Sequence, residues 1–327
     1  MRRLALLFLM LAAGVFVFAG CGGGDDDGAG GGDDVELTQE KDVTIAVITH
    51  GEGDSFWAVV KKGAEAAGKD LGVTVRYSES NNSPEEQAQL IEAAITEEVD
   101  GIAVSAPDPD AITDPVRSAV DAGIPVITLN SGAEESADMG AITHVGQTET
   151  IAGEGAGAQL KEAGATKIIC VIHEQGNVGL NQRCDGAKKG FGGEVENLQV
   201  AGISDVSTTL TEIQSKLESD DSIDGVLALN PDIAVAARDA IAGAGSEATL
   251  GTFDLSADVI KAIQADEIAF AVDQQQYLQG YLPVVFLTLN KTNLNTVGGG
   301  LPVLTGPGFV TKENAAEIEK LAEAGTR

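Results

Sequence analysis

From about residue 42 onward, short apolar runs rich in β-branched residues alternate with longer amphipathic stretches. Residues 43–49, 73–78, 101–105, 125–129 and 143–145 read as strands. Between them, 55–71, 84–97, 110–122 and 148–163 carry apolar residues at helical spacing. The rhythm then restarts, with strands expected at 167–173, 198–203, 225–229, 248–252 and 268–272. The helices of this second block fall near 181–191, 208–218, 232–242 and 256–265. Strands that are apolar without polar alternation belong to sheets covered on both faces. Strands that alternate with helices form right-handed βαβ units and parallel sheets. Two blocks of this kind predict an α/β chain of two similar doubly wound parallel-sheet domains.

The first residues are different. Arg2 and Arg3 precede an apolar run, 4–18, which has the length of a signal-peptide core and is short for a membrane span. The run ends in Phe18-Ala19-Gly20-Cys21, which resembles a bacterial lipobox with Phe18 where Leu is preferred. Residues 1–21 are therefore expected to be a lipoprotein signal peptide, with Cys21 as the lipidated residue. The acidic, glycine-rich stretch 22–41 has too little apolar character to pack a core and reads as a flexible tether. No later apolar run reaches the ~18 residues of a membrane span. The expectation is a soluble body outside the cytoplasmic membrane, attached by lipid alone.

Charge narrows the partners. The 327 residues hold 51 Asp and Glu against 20 Lys and Arg, a formal net charge of −31. Nucleic acid, whose binding needs basic patches that displace counterions, is excluded as a partner. Of the three cysteines, Cys170 and Cys184 remain after Cys21. Either they form a disulfide, which persists outside the cell, or they are two separate buried thiols.

In open parallel sheets, ligands bind beyond the carboxyl ends of the strands. The residues at those ends are His50, Asp54, Phe56 and Trp57; Asn130 and Ser131; Asn177; Asn230 and Asp232; Asp254; and Gln274. Neutral and carboxylate hydrogen-bonding groups next to an aromatic pair suit a polyhydroxyl ligand. Its hydroxyls need donors and acceptors, and its C–H faces need an apolar ring. Asn, Asp and Ser also cap helices, so capping competes for each residue alone. Ligand contact accounts for the recurrence across strands.

Several stretches then become recognisable: 45–57 with its aromatic pair, AGIPVITLN at 122–130, GVLALN at 225–230, GTFD at 251–254 and VDQQQYLQG at 272–280. Over about 43–310 the chain resembles the ribose-type periplasmic sugar-binding proteins that feed ABC importers. The segment 173–177 (HEQGN) with 183–186 (RCDG) resembles one subgroup of them. The resemblance implies the type I periplasmic binding fold, with three crossovers forming a hinge. Domain one would be 42–146 plus 276–304, and domain two 147–275 plus 305–327. It implies a monomer that captures a monosaccharide or small polyol in the interdomain cleft and delivers it to an ABC permease, without cofactor, metal or catalysis. A carrier for a chemoreceptor or sensor kinase would share that chemistry. An extracytoplasmic carbohydrate-active enzyme is the remaining alternative.

By the same resemblance Phe56 and Trp57 stack on the sugar, with His50, Asp54 and Asn130 beside them. Arg183 would fork onto hydroxyls, and Asn230, Asp254 and Gln274 would complete domain two. Two departures stand out. Asn130-Ser131 replaces the Asp-Arg of ribose binders, which puts ribose itself in doubt, and Pro231 replaces an acidic residue, with Asp232 next to it. Without ligand, two facing polar rims would be desolvated without partners on closing, so an open empty cleft is expected. Other motifs fail. The glycines at 153–157 lack dinucleotide-loop spacing and lie in a helical stretch, and His173-Glu174 does not begin H-E-x-x-H. His144 reads as a strand-end or hinge residue.

Overall fold

The computed structural model describes residues 42–51 and 53–327. The signal peptide, Cys21 and the tether lie outside them. The first half builds β1 (Thr44–Thr49), α1 (Ser55–Leu71), β2 (Thr74–Glu79), α2 (Pro84–Thr96), β3 (Gly101–Ser105), α3 (Pro109–Asp121), β4 (Val126–Leu129) and β5 (His144–Gly146). The second builds α4 (Glu149–Glu162), β6 (Lys167–Ile172), α5 (Val178–Phe191), β7 (Glu194–Gln199), α6 (Val206–Ser219), β8 (Gly225–Ala228), α7 (Pro231–Ala244), β9 (Thr249–Phe253), α8 (Ala257–Gln264) and β10 (Phe270–Asp273). The chain then returns through α9 (Gln276–Asn293), β11 (Val303–Leu304), β12 (Gly308–Thr311) and α10 (Ala315–Glu323).

Two sheets result. One has the order β2-β1-β3-β4-β5-β11 and is parallel throughout. The other has the order β7-β6-β8-β9-β10-β12, with only β12 antiparallel. The chain crosses between sheets after β5, after β10 and after β11, which gives the type I periplasmic binding fold. Each sheet reverses its strand order beside its first strand, the switch point where such sheets open a crevice. Central strands such as β3 and β8 are buried along their whole length. The edge strands β2 and β7 are partly exposed.

Local chemistry explains the boundaries. Asp54, Ser83, Asp108, Asn177, Asn230 and Ser256 each accept a backbone N–H at a helix start. Pro231 is the first residue of α7, where a missing N–H costs nothing. The glycines at 153–157 lie inside α4 and serve packing. A Cβ on Gly153 would stand 2.1 Å from the Arg183 carbonyl oxygen, and one on Gly157 2.3 Å from that of Ala187. Helices α4 and α5 therefore touch backbone to backbone. A disulfide joins Cys170 of β6 to Cys184 of α5, with Cα atoms 5.8 Å apart.

Sequence periodicity gave no sign of α9. It leaves β10 through Gln275 in the left-handed region, at φ 55°, and contains Pro283. No helix among the described residues is long and apolar enough to cross a membrane.

Candidate functional site

The carboxyl ends of the two sheets face each other across a tightly closed cleft of about 20 Å³. On the first rim, His50 follows β1. Its Nδ1 lies 2.7 Å from Ser105 Oγ, and that oxygen also accepts the His50 backbone N–H at 2.9 Å. The imidazole is thereby fixed edge-on to Trp57, with centroids 4.8 Å apart, and Phe56 meets Trp57 edge-to-face at 4.9 Å. Gly51 leaves room for the indole, because a Cβ there would stand 1.9 Å from Trp57 Nε1. Asp54 caps α1 by accepting Trp57 N–H at 2.8 Å. Asn130 follows β4 in the left-handed region, at φ 62°, which Asn tolerates better than most residues.

On the second rim, Asn177 caps α5 and donates to Glu174 Oε2 at 2.6 Å. Arg183 projects from α5 and lies over the Phe253 ring at 4.6 Å. Asn230 caps α7, and Asp254 follows β9 at φ 71°. Gln274 Nε2 donates to Asp254 Oδ1 at 2.7 Å.

The rims also bond to each other. Asn230 Nδ2 donates to Asp54 Oδ2 at 3.0 Å, Ser55 Oγ donates to Asp232 Oδ1 at 3.2 Å, and Ser131 Oγ donates to Asn177 Oδ1 at 3.4 Å. The backbone N–H of Val178 reaches the Pro107 carbonyl at 3.0 Å. The expectation that closing leaves both rims without partners is corrected accordingly: closure brings direct cross-cleft hydrogen bonds that partly offset desolvation.

Residues 45–289 match the model of the periplasmic binding protein domain. The chain belongs to the periplasmic binding protein family. A crystallised carbohydrate transporter from Acidothermus cellulolyticus 11B, in complex with myo-inositol, is similar at 43% identity and a TM-score of 0.85. That match covers 87% of this chain and 99% of the other. The ribose import binding protein RbsB of Bacillus subtilis (strain 168) is 26% identical over 258 residues, 74% of this chain and 80% of its own length. The xylose/arabinose-binding protein XylF of Sulfolobus acidocaldarius is 25% identical over 287 residues, 83% of this chain and 71% of its own.

In this periplasmic binding protein, eleven of the twelve residues expected at the site line the cleft: His50, Asp54, Phe56, Trp57, Asn130, Ser131, Asn177, Arg183, Asn230, Asp254 and Gln274. Asp232 does not. Its carboxylate is turned to the backbone and hydroxyl of Ser55 at the rim. Arg183 is also held from within the protein. The Nε–Nη2 edge of its guanidinium grips Glu149, at 2.6 and 3.0 Å, and Nη1 donates to the Leu229 carbonyl at 3.2 Å. Three of its five N–H groups are thus engaged, leaving one on each terminal nitrogen.

Sequence reasoning missed Glu149 as a site residue, and it left His173 and Glu174 as motif letters. Both of the latter line the cleft. His144 begins β5, and its Nδ1 lies 3.0 Å from Thr128 Oγ1, inside the first lobe and away from the lining.

Burial sets the charge states. It pushes the Asp54 carboxyl up to about 7, with Glu174 and Asp232 adding repulsion against the opposing Trp57 and Asn230 hydrogen bonds. Asp254 is pushed up to about 7 by burial, against the pull of Arg183 and Gln274. Burial works in the same direction on Glu174, but His50 and His173 outweigh it and hold that carboxyl at about 2. Burial lowers His173 to about 4. Burial thus shifts both carboxyls, Asp54 and Asp254, toward the protonated form, in which a carboxyl donates as well as accepts hydrogen bonds. Among the described residues, no group of three or more His, Cys, Asp or Glu side chains is placed to hold a metal ion.

Proposed function

We propose that this protein captures a neutral monosaccharide or cyclic polyol between its lobes and hands it unchanged to an ABC permease. The observation that carries the reading is the composition of the cleft wall. Phe56 and Trp57 offer ring surface on one side, and Asn130, Asn230, Asp254 and Gln274 offer amides and carboxyls around it. Such a wall matches an object with apolar C–H faces and a belt of hydroxyls. Neutrality follows from charge: the lining guanidinium, Arg183, is already paired with Glu149, so an anionic ligand would meet uncompensated carboxylates. Ser131 stands where ribose binders carry arginine, which favours a ligand other than ribose. The myo-inositol complex of the 43%-identical transporter supports a cyclitol.

Calorimetry against myo-inositol, D-xylose, D-galactose and D-ribose tests this, with emission from Trp57, the only Trp in the chain, as a second signal. At least one probe should bind saturably and be recovered intact by chromatography. No binding across the set, or steady product formation, would overturn the reading. Membrane attachment is proposed through lipid on Cys21. A Cys21→Ala variant should not take up labelled fatty acid, and membrane attachment unchanged in that variant would refute the anchor.

A further inference from the structure

Behind the wall formed by His50, Glu174 and Asn177 lies a second cavity of about 240 Å³. It shares those three residues and His173 with the inner cleft, and it is the larger of the two. The wall consists of side chains. Asn177 Nδ2 reaches Glu174 Oε2 at 2.6 Å and His50 Nε2 at 3.5 Å, and His50 Nε2 stands 3.4 Å from Glu174 Oε2.

We propose that the protein takes a neutral two-ring glycoside, with one ring in the inner cleft and the second, hydroxylated ring in this outer cavity. This inference rests on the reading of the inner cleft given above. Four observations carry it. The outer cavity, at about 240 Å³, holds far more open space than the inner cleft, at about 20 Å³. Beyond the wall the lining is rich in amides and hydroxyls, Asn82, Ser83, Gln87, Gln175 and Ser204, which are groups that both donate to and accept from sugar hydroxyls. The lining contains no Lys or Arg and two carboxylates, Asp108 and Glu174, so a phosphate or carboxylate substituent is disfavoured by like charge. Finally, His173 is 9% exposed and faces both cavities, and its Nδ1 has no hydrogen-bond partner. A buried polar atom without a partner carries a desolvation cost, which a hydroxyl bridging the two compartments relieves.

Calorimetry with matched probes tests the proposal: myo-inositol against galactosyl-myo-inositol, D-xylose against xylobiose, and D-galactose against galactobiose. At least one two-ring probe should bind about tenfold or more tighter than its one-ring parent, the equivalent of about two ordinary hydrogen bonds. Gln175 and Ser204 are exposed, so Gln175→Trp and Ser204→Trp fill the outer cavity without disturbing the core. Each should weaken the two-ring probe by about tenfold and leave the one-ring probe within about twofold, as expected of a surface substitution. A second ring that adds no affinity, or variants that weaken both probes alike, would overturn the outer subsite. In the first case one-ring binding still stands, so the inner-cleft reading survives. Absence of heat from every probe overturns both.

Discussion

Arg183→Lys separates holding the site from touching the ligand. A guanidinium has five N–H donors. Three are engaged, two by Glu149 and one by the Leu229 carbonyl; five less three leaves two, one on each terminal nitrogen. The Phe253 ring fixes the plane in which they point. A lysine ammonium reaches one Glu149 oxygen at most. Gln147 Nε2 still donates to Glu149 Oε2 at 2.9 Å, but the buried site loses two of its three guanidinium hydrogen bonds, at about 2 kcal/mol of stability. That corresponds to a fall in Tm of about 4–8 °C for a domain of this size. The two outer donors are also lost. Hydrogen bonds from a charged group contribute about 1.5–3 kcal/mol each, so a loss of about 3 kcal/mol, or roughly a hundredfold in Kd, is expected. Scanning calorimetry of the free protein reads the first effect, and titration with the sugar that binds wild type reads the second. If Tm falls while Kd stays within about threefold of wild type, Arg183 is a brace for Glu149 and does not touch the ligand.

Other perturbations probe separate parts of the site. Gly51→Ala places a Cβ 1.9 Å from Trp57 Nε1; the indole must move, and titration should show affinity lost while the far-UV spectrum is kept. Folded-state pKa values of about 7 for Asp54 and Asp254, raised from 3.8, give stability that is full below about pH 4 and lost as pH rises through 7. Asp54→Asn should therefore show a shallower fall in Tm between about pH 5 and 8 than wild type, and an unchanged slope would refute the assignment. At the acid end, His173, lowered to about 4, withdraws stability as pH falls from 6.5, and Glu174, held at about 2, does so below 4.5; Tm measured across pH should therefore decline on the acid side as well. Removing the Cys170–Cys184 disulfide opens a loop of sequence separation 14, a loss of about 3 kcal/mol by chain entropy. Equal urea midpoints for the double Ala variant and wild type would contradict this.

How much of this was legible beforehand depended on whether a residue's place follows from local pattern or from long-range packing. The strand ends were legible because a parallel sheet brings every carboxyl terminus to one face. His50, Asn130, Asn230 and Asp254 needed no knowledge of how the helices pack. Asp232 escaped that logic through its neighbour. With Pro231 opening α7, Asp232 becomes the second helical residue and turns to Ser55 at the rim. The return segments were illegible for a different reason. Strand β11 has two residues, and α9 is apolar around much of its surface and interrupted by Pro283. Neither leaves a clean period.

Glu149 was hidden most deeply. It sits in the first turn of α4, where an acid is ordinary helix chemistry, and its partner Arg183 is 34 residues on. What joins them is the close approach of α4 and α5, permitted by Gly153 and Gly157. The glycines that failed as a nucleotide motif therefore set the distance at which Arg183 is neutralised. With that charge answered inside the protein, Asp254, whose carboxyl oxygen is 3.8 Å from Arg183 Nη1, is left without a full counter-charge and stays partly protonated. A neutral polyol then finds donors and acceptors on every side of the cleft, and an anion finds no free cation among its lining residues.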